Sequence, residues 1–333
     1  MTNIAINGFG RIGRSFFRAA FGDPDFNIVA VNDLTDTATL TYLLKFDSVY
    51  GRYQKDVKAG GDALIVDDKD IRVLAEKDPA KLPWADLKID VVVESSGFFT
   101  DGAKARAHLD AGAKRVVITA PATGDVTTVL VGVNDDLFKG AGPITCNASC
   151  TTNATAPVLQ ILKETLGIKK AGMSTVHGYT ATQKLVDGPD AKDLRRGRAA
   201  AVNIVPSTTG AAEAVIQSIP DLGGKFGAIA MRVPVVAGSL TDITALVGRE
   251  TNAEEVNDIF RKAAEDTRWV KTLAVTEDQL VSTDIIGQPY GAIVDLSLTR
   301  VIDNDLVKVF SWYDNEAGYT ATLVEHVRRV GKI

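Results

Sequence analysis

The chain has 333 residues, enough for two domains of ordinary size, and its 45% hydrophobic and 24% charged residues exclude a disordered or membrane-embedded protein. A net charge of −5 gives no whole-molecule attraction to nucleic acid or to an anionic membrane, so any basic site must be local. Two cysteines, Cys146 and Cys150, exclude a disulfide framework. The N-terminus enters a strand pattern at once, with no charged leader or apolar signal core, and together these features predict a reducing, cytoplasmic setting. The Cys-x-x-x-Cys spacing without a neighbouring histidine is a poor zinc signature, so no metal is expected.

The first half alternates short apolar runs, predicted as strands at 4–7, 28–32, 91–94, 115–119 and 128–131, with helical patterns at 11–21, 37–45 and 103–111. That alternation predicts an α/β fold with a Rossmann-type, doubly wound parallel sheet. Gly8-Phe9-Gly10-Arg11-Ile12-Gly13 follows the first strand and opens the first helix, where each glycine has its own reason to be there. Gly8 permits a tight turn, Gly10 lets the backbone approach a pyrophosphate, and Gly13 lets helix and strand pack closely. Asp33 ends the second strand, twenty positions after Gly13, where a carboxylate accepts hydrogen bonds from a ribose and repels a 2′-phosphate. NAD is therefore the expected cofactor, with a turn cap as the alternative role for Asp33.

Next comes the run Asn147-Ala148-Ser149-Cys150-Thr151-Thr152-Asn153, leading into an apolar stretch of helical period. It places a thiol on the first turn of a helix, with Ser149 or Asn147 as the capping oxygen, and free N–H groups and the helix dipole favour a thiolate there. A small core residue is the alternative reading of Cys150, and Cys146 reads as a buried strand end. Beyond it, longer strand patterns at 173–176, 228–234, 240–249, 292–301 and 306–312, with a turn at Asp303-Asn304, predict an α+β catalytic domain with a largely antiparallel sheet. The last segment, 317–330, reads as a helix returning to the first domain. The expected division is residues 1–149, completed by 316–333, and residues 150–315.

His177 closes the first strand of the second half and is the expected base for Cys150, forming an ion pair with its thiolate. His108 and His326 read as surface or packing residues. Arg232 carries a charge out of an apolar strand, and Thr180, Thr182 and the helix start at Ser207-Thr208-Thr209-Gly210 offer hydroxyl and N–H groups to phosphate oxygens, with capping as the alternative. Residues 178–201 make a long loop, functional or interfacial by its length, where Arg195, Arg196 and Arg198 are a solvated face or, more sharply, an anion site or subunit contact.

Ser149-Cys150-Thr151-Thr152-Asn153, the glycine run, Thr175-Val176-His177, Arg232-Val233-Pro234 and Trp312-Tyr313-Asp314-Asn315-Glu316 together resemble the phosphorylating glyceraldehyde-3-phosphate dehydrogenases over essentially the whole chain. The resemblance implies Cys150 as nucleophile and His177 as its base. It implies Arg11, Ile12, Asp33, Lys77, Thr119 and Asn315 as NAD contacts, with Asn315 on the nicotinamide carboxamide. Ser149, Thr151, Thr180, Thr182, Arg196, Thr209, Gly210 and Arg232 match two phosphate-recognition sites. Also implied are a homotetramer, with the 178–201 loop against a neighbour's cofactor site, and oxidation of glyceraldehyde 3-phosphate with NAD and inorganic phosphate in glycolysis or gluconeogenesis.

The chain departs from the family pattern at Ala154, where many relatives carry cysteine, at Ala317, often Trp, and at Lys77, where Arg is usual and a planar fork is lost. An erythrose-4-phosphate dehydrogenase would share the fold, cysteine and histidine, but the Thr180, Thr182 and Thr209-Gly210 pattern argues against it. A nucleotide-binding protein without turnover would not need Cys150, His177 and Arg232 together.

Overall fold

The strand β1 (Thr2–Asn7) buries Ile4, Ala5 and Ile6 completely, as a strand covered on both faces of a parallel sheet must. In the computed structural model, which describes residues 1–191 and 193–333, β1 pairs in parallel with β2 (Phe26–Asn32) after the crossover helix α1 (Arg11–Ala20). After α2 (Thr37–Lys45) come β3 (Val57–Ala59), β4 (Ala63–Val66) and β5 (Lys69–Leu74); β5 joins β2 in parallel, and β3 and β4 fold back antiparallel at the edge. On the far side of β1 lie β6 (Val91–Glu94), β7 (Arg115–Ile118), β8 (Thr127–Thr128) and β9 (Ile144–Cys146), giving the order β3-β4-β5-β2-β1-β6-β7-β9-β8. The direction of winding reverses between β1 and β6, and a ligand crevice belongs at such a point.

Two expectations need correction here. The helix expected at 103–111 is two short pieces, α3 (Gly102–Ala105) and α4 (Ala107–Asp110), because the backbone tightens at Arg106, whose carbonyl accepts from Leu109 N. The strand expected at 128–131 stops at Thr128, since Asn134 Oδ1 takes the Leu130 N–H and starts a turn. Of the two readings of His108 and His326, surface or packing, the structure takes packing: both are fully buried. The β3–β5 hairpins went unseen because Lys58, Lys69, Asp70 and Arg72 make them read as polar loop. A short helix, α5 (Leu137–Gly140), precedes β9.

The second sheet runs β11-β12-β10-β13-β16-β15-β14. It begins after α6 (Cys150–Leu166) with β10 (Ile168–Gly178) and β11 (Val205–Ser207), and α7 (Ala211–Ser218) leads to β12 (Phe226–Val233) and β13 (Ser239–Val247). After α8 (Ala253–Glu265) follow β14 (Leu273–Thr276), β15 (Ala292–Ile302), β16 (Leu306–Tyr313) and α9 (Ala317–Val330). The pairs β10–β12 and β14–β15 are parallel and the others antiparallel. Asp303 and Asn304, at φ +48° and +59°, supply the two left-handed residues of the β15–β16 turn. β13 alternates buried and half-buried along its length, so one face of this sheet is covered and the other is open. By contact, the chain divides into one unit of Met1–Val129, Asp135–Ala148 and Leu323–Ile333 and another of Leu130–Asn134 and Ser149–Thr322. Among the described residues, no helix is long and apolar enough to cross a membrane.

In the first unit His326 sits with Nε2 at 2.8 Å from Thr145 Oγ1, and its Nδ1 donates to the Val129 carbonyl at 3.1 Å. Burial, with help from the charge on Arg329, pushes its pKa from 6.5 down to about 3, against the pull of that carbonyl. The unfolded chain therefore binds a proton that the native one refuses, and stability falls as the pH drops below about 6.5 by about 1.4 kcal/mol per pH unit for this one group. Urea unfolding at pH 7.5 and pH 5.5 should show His326→Gln less stable at the higher pH but with a shallower pH slope than the parent; equal slopes would contradict the assignment.

Candidate active site

The site in the second unit is built from the first turn of α6. Ala148 holds φ +51°, a left-handed conformation that costs a non-glycine residue about 1–2 kcal/mol and redirects the chain before the helix. Ser149 then caps α6, its Oγ accepting from Thr152 N at 3.1 Å and meeting Thr152 Oγ1 at 2.7 Å. Cys150 is the first helical residue and stays partly exposed. Its Sγ lies 3.4 Å from His177 Nε2.

His177 is placed by β10, which runs parallel to β12 in a register that sets His177 directly beside Arg232. The imidazole Nδ1 has two neighbours at 2.6 Å, the Gly178 carbonyl and Arg232 Nη1. A carbonyl only accepts and a guanidinium only donates, so each contact selects a different tautomer. With Nδ1–H on Gly178, Nε2 is a base facing the sulfur; with Nδ1 accepting from Arg232, Nε2–H faces it as a donor.

Burial pushes the Cys150 thiol up, opposed by the Arg232 charge and by hydrogen bonds with Thr151. Burial, followed by the same Arg232 charge, pushes His177 from 6.5 down to about 3. Desolvation thus opposes a charge on either partner while the Arg232 charge favours the thiolate, and the sulfur and the ring nitrogen are set to pass a proton between them. Arg232 itself is lowered, chiefly by burial, and its buried Nε has no partner, so its charge is incompletely satisfied. An anion would relieve that.

Several site residues carry no sequence signal of their own. Tyr313 Oη bridges Thr151 Oγ1 at 2.9 Å and Thr175 Oγ1 at 2.8 Å, with its ring edge-on to His177. Ser239 Oγ accepts from Gly178 N at 3.1 Å and donates to Asn315 Oδ1 at 3.0 Å, tying the loop after His177 to Asn315. Gln183 Oε1 accepts from Thr180 N at 2.7 Å. Tyr313 lies within the Trp312–Glu316 run; Ser239 and Gln183 could not have been singled out.

Thr180 and Thr182 come together, Oγ1 to Oγ1 2.9 Å. Arg196 donates from Nε to Ser207 Oγ at 2.9 Å and from Nη2 to the Thr208 carbonyl, bringing the long loop to the residues before α7. Thr209 Oγ1 accepts from Ala211 N at 3.1 Å in the turn that leads into α7, and Gly210 is the N-cap of that helix. Thr151 turns its hydroxyl inward to Tyr313. Arg198 pairs with Asp187 at the surface and Arg195 is exposed, the solvated reading for both.

In the first unit the glycine turn has the shape a dinucleotide requires. Gly8 is at φ +89°, and a Cβ there would meet Ser96 N at 2.4 Å; one on Gly13 would meet the Gly8 carbonyl at 2.2 Å; one on Gly10 would meet nothing within 4 Å. The first and third glycines are closed by packing and the second faces open space, the arrangement that admits a pyrophosphate against the start of α1, which no side chain caps. Gly8, Gly10, Asp33 and Lys77 line one cleft of about 430 Å³. Asp33 takes the turn-capping role, accepting from Phe9 N of the glycine turn at 2.8 Å and from Thr35 N at 3.0 Å, and its carboxylate keeps further lone pairs. Arg11 directs its guanidinium to Asp47, and Ile12 follows it in α1. Thr119 N donates to the Glu94 carbonyl at the end of β7.

Two family models match the chain: residues 2–102 fit "Glyceraldehyde 3-phosphate dehydrogenase, NAD binding domain" and residues 149–315 fit "Glyceraldehyde 3-phosphate dehydrogenase, C-terminal domain". The chain is 51% identical over 336 residues to a glyceraldehyde-3-phosphate dehydrogenase of Mycobacterium avium, covering 99% of this chain and 98% of that one. It is 50% identical over 337 residues to the enzyme of that name from Mycolicibacterium smegmatis, with the same coverage. With the one from Clostridium pasteurianum it shares 46% over 337 residues, 100% of this chain and 99% of the other.

Because Nε2 is the only basic atom set against Sγ in these contacts, replacing it should expose the cost of ionising a buried thiol. His177→Asn should slow alkylation of Cys150 by iodoacetamide at pH 7 at least about tenfold and leave a rate that climbs steadily into alkali. An alkylation profile unchanged from the parent would contradict the assignment.

Proposed function

The chain belongs to the glyceraldehyde-3-phosphate dehydrogenase family, and on that premise we propose that it oxidises D-glyceraldehyde 3-phosphate to 1,3-bisphosphoglycerate with NAD and inorganic phosphate, through a hemithioacetal and then a thioester on Cys150. The observation that carries the reading is the 3.4 Å approach of Cys150 Sγ to His177 Nε2 at the start of a helix, beside an under-satisfied arginine. The glycine turn and Asp33 suit the pyrophosphate and adenosine ribose of NAD, with Arg11, Ile12, Lys77 and Thr119 as further contacts and Asn315 for the carboxamide. When bound, NAD supplies the hydride acceptor.

The protein's own groups manage the sulfur and the protons. Nε2 takes the thiol proton as Sγ bonds to the aldehyde carbon, and returns it to the carbonyl oxygen, which becomes the hemithioacetal hydroxyl. The same nitrogen removes that hydroxyl proton as hydride departs, and the carbonyl re-forms as a thioester. Phosphate oxygen then attacks the thioester carbon, the C–S bond breaks, and the leaving sulfur recovers its proton from Nε2. Two sets of anion donors suit the two phosphates: Arg232 with Thr180 and Thr182, and Arg196 with Ser149, Thr151, Thr209 and Gly210. Backbone N–H groups at the starts of α6 and α7 belong to the second set.

The reading extends to a nucleotide-binding domain of residues 1–149 with 316–333, a catalytic domain of 150–315, a cytoplasmic enzyme of glycolysis or gluconeogenesis, and a homotetramer. The open face of the second sheet supports assembly, exposing Val176 by 39% and Ile229 by 48%, as does the long loop, where Leu185 is 83% and Leu194 85% exposed. NADH formation from glyceraldehyde 3-phosphate should continue through many turnovers only with inorganic phosphate and stop near one NADH per site without it. Cys150→Ser should bind NAD and make no NADH. Sustained NADH formation without phosphate, or by the serine variant, would contradict the proposal.

A further inference from the structure

Behind the dinucleotide cleft lies a line of buried polar side chains that the chemistry above does not use. Asn7, the last residue of β1, donates from Nδ2 to Glu94 Oε2 at 2.5 Å, and its Oδ1 accepts from Asn32 Nδ2 at 2.7 Å. Asn32 in turn holds both backbone groups of Glu76, its Oδ1 accepting from Glu76 N and its Nδ2 donating to Glu76 O, each at 2.9 Å. The other oxygen of Glu94, Oε1, takes Ser96 N at 2.9 Å and the Ser96 hydroxyl. Asn7, Asn32, Glu76 and Ser96 all line the cleft, so this line joins the loops that follow β1, β2, β5 and β6 into one wall.

The line ends on a residue outside the cleft. His108, in α4, is fully buried, and its Nε2 lies 2.9 Å from Glu94 Oε2. Its Nδ1 lies 3.0 Å from Trp84 Nε1. An indole nitrogen can only donate, so Nδ1 must accept, and the ring must carry its proton on Nε2, pointed at the carboxylate. Trp84 thereby selects the one tautomer that serves Glu94. The His108 ring also packs edge-on against Phe99 of the cleft wall, with centroids 6.1 Å apart.

We propose that His108 is a positioning residue for the dinucleotide: through Glu94 it fixes Asn7 and Ser96 on either side of the Gly8 turn, and so sets how tightly NAD is held. The inference rests on the dinucleotide reading of the cleft. A Cβ on Gly8 would come within 2.4 Å of Ser96 N, so there is no slack between this turn and the loop that Glu94 holds. A hydrogen bond to a buried carboxylate is among the stronger ones, and losing its donor frees the carboxylate to pull Asn7 and Ser96 out of place.

Calorimetric titration of the full-length enzyme with NAD tests this, together with steady-state kinetics. His108→Leu should raise the Kd and KM for NAD about tenfold while kcat and the KM for the aldehyde stay within about twofold. His108→Gln keeps a donor for Glu94 and an acceptor for Trp84, and should restore Kd to within about threefold of the parent. Trp84→Phe releases the tautomer and should weaken NAD by an intermediate factor; this variant and His108→Gln carry the test if the leucine variant does not fold. NAD affinity unchanged in His108→Leu, or in Trp84→Phe if that variant has to stand in, overturns the proposal. So does a glutamine variant as weak as the leucine one. A parent enzyme that does not bind NAD overturns the dinucleotide reading itself, and this inference with it.

Discussion

A sulfur 3.4 Å from an imidazole nitrogen, both largely out of water, is the contact to which the second unit is shaped. Two independent pieces of backbone fix it. Ala148 and the Ser149 cap determine where α6 begins, and pairing of β10 with β12 on one side and β13 on the other determines where His177 sits near the end of its strand. Neither partner ionises easily there, because desolvation opposes a charge on each. Arg232 is the largest influence favouring the thiolate.

The first unit solves a different problem with the same economy of contacts. Its three motif glycines are distinguishable by their surroundings: two are closed by backbone within van der Waals distance and one faces open space. Asp33 braces the turn by accepting from Phe9 N, so the carboxylate proposed to meet the ribose also holds the turn proposed to meet the pyrophosphate. Loss of that one side chain would disturb both, and a ribose contact cannot be separated from a structural one by substituting Asp33 alone.

How much of this could be read from the chain depended on local signals. The helix at Cys150, the glycine turn and the Asp303-Asn304 turn are each written within a few consecutive residues, and the structure has them at those positions. The parallel order of the first sheet followed from fully apolar strands alternating with helices. What escaped were features made by long-range contact. The edge strands β3–β5 are polar and short and gain their strand character only by pairing onto β2. His108 and His326 could be read no further than surface or packing residues, because nothing local shows that Trp84 and Glu94, or Thr145 and Val129, wait for their ring nitrogens. The pairing of thiol and base was legible, but the depth of their burial was not. Tyr313 and Ser239 join the site through strands far apart in sequence.

Direct capture of the covalent intermediate decides whether this sulfur does the chemistry. Mixing the enzyme with glyceraldehyde 3-phosphate and NAD in the absence of phosphate, quenching in acid and mapping the peptides by mass spectrometry should find the phosphoglyceroyl group as a thioester on Cys150, lost on brief addition of phosphate before the quench. Acylation at another residue, or an adduct on Cys150 indifferent to phosphate, would contradict the account.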